Sequence, residues 1–118
     1  FLVVGPTEEL LFRGVIQGRL RERLSAPKAI AIASVLFGSV HLLALTGRGP
    51  AGIATTLAVL SIVAIALGGI YEYTGNLVVA ALTHGLYNSI LITGLYISVT
   101  TDVGQQSGTL LQMLVPIL

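Results

Sequence analysis

Apolar residues run through this chain in four long stretches, and short segments rich in charge, glycine or proline separate them. The pattern predicts helices over about 6–24, 25–46, 51–71 and 76–98, each long enough or nearly long enough to cross a bilayer. The separators have their own chemistry. Ser25-Ala26-Pro27 reads as an N-cap followed by a proline in the first turn. Gly47-Arg48-Gly49-Pro50 reads as a turn, and Glu72-Tyr73-Thr74-Gly75-Asn76 as the end of the third helix. A further apolar run resumes only at Thr109, with too few residues left to span a membrane. The expected fold is all-α: a polytopic transmembrane helix bundle of about four membrane helices plus a truncated fifth.

The polar positions inside these stretches carry the chemistry. Glu8, Glu9 and Arg13 lie in the first helix, where an ionisable residue at membrane depth is costly and by default marks a site facing a protein interior or a wet cavity. Glu9 and Arg13 are spaced i,i+4 with the acid on the N-terminal side, so each lowers the other's burial cost. Glu8 lies about 100° round the helix from Glu9 and has no such partner. It is the candidate general base. A lone Glu here would more simply be a solvated charge at the membrane interface. His41, with Phe37 one turn before it and the small residues Ser34 and Gly38 beside that face, is the ionisable group inside the second helix; alone it would read as structural. His84 and Asn88, one turn apart, share a face of the fourth helix. Thr55, Thr56 and Ser61 of the third can each bond the preceding turn, so that helix reads as scaffolding. Gly14 and Gly18 form a small-residue step that suits close approach of a neighbouring helix.

Composition decides the solvent. Of 118 residues, 54% are hydrophobic and only 9% charged, and the mean hydropathy is +0.94. Soluble chains carry about 25% charged residues, so lipid takes the place of water around this one. A net charge of +1 gives no broad basic surface for nucleic acid. The absence of cysteine removes thiol catalysis, disulfides and Cys-ligated zinc. Arg19, Arg21, Arg23 and Lys28 against Glu22 place their loop in the cytoplasm by the positive-inside rule, and tyrosines 71 and 73 suit an interfacial belt. The apolar runs at both ends read as those of a fragment, residues 1–118 being a single partial membrane-embedded domain of a longer chain, multi-pass and expected in the cell membrane.

Helical rise puts the polar groups at similar depth. Glu8 lies about 14 Å from a polar edge at Gln17, His41 about 19 Å past Lys28, and His84 about 12 Å past Asn76. One cluster of Glu8, Glu9, Arg13, His41, His84 and Asn88 is therefore the simplest arrangement. Its three parts, Glu-Glu-x-x-x-Arg at Glu8, Glu9 and Arg13, Phe-x-x-x-His at Phe37 and His41, and His-x-x-x-Asn at His84 and Asn88, resemble the signature motifs of the CAAX-protease and bacteriocin-processing family. These are intramembrane endopeptidases that include the type II CAAX prenyl proteases. The resemblance covers residues 8–88. It implies that Glu8 and His41 activate a water against the scissile peptide, and that His84 and Asn88 stabilise the oxyanion. Glu9, Arg13 and Phe37 would support them. The substrate would be a membrane-associated peptide or protein, prenylated or not. Metal-free catalysis with no cofactor is the reading adopted. Zinc on Glu8, His41 and His84 is the alternative. A non-catalytic immunity or scaffold protein would also keep these residues. A transporter would place ionisable groups at the midplane too, but no internal repeat supports it.

Overall fold

The structure, a computed structural model, describes residues 3–100, which are all-helical with no strand among them. The first membrane element is composite: α1 (Val4–Glu9), a π-helical segment (Leu10–Gln17) and α2 (Gly18–Arg21). Then follow α3 (Ala26–His41), extended by a 3-10 turn (Leu42–Leu45), α4 (Pro50–Thr74) and α5 (Leu77–Thr100). The stretches 26–45, 50–74 and 77–100 are long and apolar enough to cross a membrane. The first element is shorter and carries the charges. The expected fifth helix falls outside the described residues.

Local chemistry sets the boundaries. Ser25 is extended and Pro27 sits in the first turn of α3, as expected, but the Ser25 hydroxyl caps nothing. Proline also opens α4, which ends where Gly75 turns left-handed at φ 59°. The Asn76 side chain then caps α5, accepting from the Val78 N–H at 2.9 Å. The hydroxyls of Thr55, Thr56 and Ser61 each bond the carbonyl four residues back, so they ask nothing of other helices.

The bundle is polar inside and apolar outside. Glu9, Arg13, Gln17, His84 and Asn88 are buried, while Leu10, Leu11, Val15, Val35, Ile62, Leu82, Leu86 and Ile90 are exposed. In water this would be an unstable surface; in lipid the exposed side chains are solvated and the polar ones must find partners inside. The core proper is small: Phe12, Phe37, Leu60 and Ala64, with Ile16, Val59 and Leu91 packed on it.

The π segment explains how one helix buries a polar stripe. Residues at every fourth position drift round an α-helix by about 40° per step, and the wider i→i+5 turns drift the other way. The π segment that follows α1 therefore offsets the α-helical drift and keeps Glu9, Arg13 and Gln17 on one buried line. The tightest glycine approach is at Gly68 of α4. A Cβ there would lie 3.0 Å from Ile30 Cγ2 and 3.0 Å from Gln17 Oε1. At Gly14 and Gly18 a Cβ would meet only ordinary contacts, the nearest at 3.4 Å. Gly68→Ala is therefore expected to destabilise the bundle by about 1–3 kcal/mol through overpacking, which thermal unfolding in detergent would detect. Gly18→Ala should change the midpoint far less.

Candidate active site

Side chains of the first helix and of α3 meet at His84 of α5. Glu9 is fully buried, and its Oε1 accepts from His84 Nδ1 at 2.8 Å. A carboxylate only accepts, so this bond assigns the ring proton to Nδ1 and turns Nε2 the other way. That nitrogen lies 3.7 Å from Glu8 Oε2, too long for a direct hydrogen bond. Glu8 is the accessible member of the pair: its side chain is 26% exposed, against 0% for Glu9. Close approach of α1 and α5 makes this possible. A Cβ on Gly5 would stand 3.8 Å from the Gly85 nitrogen and 3.9 Å from His84 Cγ.

Arg13 neutralises the buried acid. Its Nη1 lies 3.2 Å from Glu9 Oε1, but off the line needed for a hydrogen bond, so the pair is held by charge. Nη2 donates to the Ala64 carbonyl at 2.8 Å. The guanidinium also stands over the Phe37 ring at 5.2 Å, a cation–π contact in a dry setting. Phe37 is the hub of the site. It meets Phe12 edge-on at 5.1 Å and packs against both imidazoles, with ring centroids 4.7 Å from His41 and 6.1 Å from His84.

The structure thus brings Glu8, Glu9, Arg13 and His84 together and joins them to His41 through Phe37. No hydrogen bond or ion pair links His41 to Glu8 among the described residues. The half-buried His41 ring directs Nδ1 at the Phe37 carbonyl, 2.8 Å away. A carbonyl also only accepts, so Nδ1 carries the proton and the lone pair sits on Nε2. Asn88 is buried one turn beyond His84, and its Oδ1 has no hydrogen-bond partner among the described residues.

No three His, Asp or Glu side chains among the described residues converge as a metal ion requires. Glu8, His41 and His84, the set the zinc reading would use, do not form such a group among the described residues; each histidine engages Nδ1, His84 on Glu9 and His41 on the Phe37 carbonyl, and packs against the Phe37 ring.

Three residues outside the expected cluster, Gln17, Glu72 and Arg21, belong to the same polar structure. Gln17, expected at a polar edge, is fully buried and donates from Nε2 to the Gly68 carbonyl at 3.1 Å and to Glu72 Oε2 at 3.4 Å. Glu72 in turn accepts from Arg21 Nε at 2.7 Å. The signal was present in the sequence, since Gln17 and Arg21 continue the four-residue spacing of Glu9 and Arg13.

A family model described as type II CAAX prenyl endopeptidase, Rce1-like, matches residues 1–90. Neither the curated proteins nor the solved structures hold a significant match to the chain.

Proposed function

Because the chain belongs to the Rce1-like type II CAAX prenyl endopeptidase family, a family of proteases, we propose that it hydrolyses a peptide bond of a membrane-associated substrate, using water activated by Glu8. It is an integral membrane protein whose apolar helices imply a bilayer around it. The observation that carries the proposal is the Glu9–His84 bond of 2.8 Å, which commits one face of the imidazole to a buried acid and turns the other toward the accessible Glu8.

In this reading Glu8 and the lone pair of His41 Nε2 are the two acceptors for the hydrogens of the attacking water, brought together on it when substrate binds. Glu8 takes the proton as the water oxygen bonds to the scissile carbonyl carbon. The carbonyl oxygen then gains negative charge; the Asn88 amide is its donor, and His84 becomes a second one when its Nε2 is also protonated, since its Nδ1–H is held by Glu9. Collapse expels the amine, which receives the proton from Glu8. None of these steps passes through a metal. A CAAX-type prenylated chain is the substrate class the family name carries, and the basic loop from Arg19 to Lys28 would face the cytoplasm of the cell membrane, where such a substrate lies.

The test is cleavage of a membrane-tethered peptide by purified protein in lipid vesicles. Activity should persist after exhaustive chelation, and Asn88→Ala should lower kcat by about 10²- to 10³-fold with KM little changed. Normal kcat with lowered thermal stability would instead make Asn88 a packing residue. Activity lost on chelation and regained with zinc would overturn the metal-free mechanism.

A further inference from the structure

We infer that Gln17 is a positioning residue for this site: bonded to α4, it holds the buried stripe of the first helix in register, and through Arg13 and Glu9 it sets the orientation of His84. The role in turnover rests on the protease reading above; the effect on His84 does not.

The first helix and α4 are joined at a constant offset. Arg13 bonds the carbonyl of Ala64, Gln17 that of Gly68, and Arg21 the side chain of Glu72, each pair separated by 51 residues. A constant offset means two parallel helices joined in one register, like the teeth of a zipper. Gln17 is its middle tooth and a fully buried one. The Nε2 group faces two acceptors, Gly68 O and Glu72 Oε2, which fixes the orientation of the amide. The absence of a side chain at Gly68 permits the approach, since a Cβ there would press on Gln17 Oε1 at 3.0 Å.

The consequence reaches the chemistry in three contacts. Gln17 sits one step of the stripe beyond Arg13, on a π segment whose turns are not fixed by α-helical bonding. If it lets go of α4, Arg13 can slide relative to Ala64 O, and the Glu9 carboxylate follows its counter-charge. Glu9 holds His84 Nδ1. Small displacements of a reacting geometry matter: about 1 Å can cost on the order of 10²-fold in rate. A polar side chain this deep that merely filled space would be better replaced by an apolar one.

Gln17→Met keeps the length of the side chain and removes the donor. With peptide as substrate, well below the unfolding temperature, kcat should fall about 10- to 100-fold while KM stays unchanged. The second readout needs no activity. The chain has two histidines, so the ring N–H signal of His84 in the ¹⁵N-histidine protein can be assigned with His41→Gln. A proton bonded to a carboxylate resonates far downfield, and it should move upfield in Gln17→Met. Glu72→Ala, which removes one of the two acceptors at a half-buried surface position, should move it the same way by less, and serves if Gln17→Met does not fold. If the signal moves while wild-type protein cleaves nothing, the protease reading fails and the positioning role stands. An unmoved signal in the variants that fold overturns the positioning role, whatever the rates show.

Discussion

Glu8→Gln should leave a folded protein with kcat reduced by at least about 10²- to 10⁴-fold, the usual contribution of a general base. The side chain is part-exposed and its nearest ionic contact, His84 Nε2, is 3.7 Å away, so little stability depends on its charge. Glutamine matches its shape, keeps one acceptor oxygen and cannot take up a proton at neutral pH. KM should barely move and the thermal midpoint should stay near that of wild type. The neighbouring acid supplies the control. If Glu9→Gln were well folded and dead while Glu8→Gln remained active, the two roles would be reversed.

Glu9→Gln is expected to fail in a different way. Glu9 and Arg13 are both out of solvent, with side-chain exposures of 0% and 2%, and the pair is i,i+4 at 3.2 Å. An amide at position 9 can still accept from His84, but it leaves a buried guanidinium without its contacting counter-charge, with the Ala64 carbonyl and the Phe37 face as its remaining close contacts. Breaking one partner of a buried pair costs about 3–5 kcal/mol, whereas replacing both by apolar residues is often neutral. Unfolding of Glu9→Gln should therefore occur at much lower temperature or detergent stress. The double variant Glu9→Gln, Arg13→Met should regain most of that stability without regaining activity, because His84 has lost its charged anchor. Equal stability of single and double variants would show that the pair contributes nothing through its charges.

The helices were legible because their apolar runs are long and their breaks are chemically loud. Pro27, Pro50 and Gly75 all act where the pattern puts them. The 3-10 turn after His41 was not legible, because hydropathy is blind to whether a carbonyl is bonded from three or four residues on. The π segment escaped for a related reason: a stripe spaced by four suits an α-helix nearly as well. Within the site, the pairing of Glu9 with Arg13 follows from spacing alone. Which histidine stands nearest Glu8 does not, since spacing says nothing of how α3 and α5 lie around the first helix. Gln17 looked like a membrane edge because the basic cluster begins two residues later. Its burial depends on Gly68 and Glu72, more than fifty residues away.

The most direct test is the fate of water. Wild-type protein in vesicles, given a membrane-tethered peptide in ¹⁸O-labelled water, should yield two fragments cut at an internal bond. One ¹⁸O should appear in the new carboxyl terminus, and folded Glu8→Gln should yield neither fragment. Equal cleavage by the two proteins would contradict the account, because the bond would then be broken without the carboxylate on which the proposed chemistry depends.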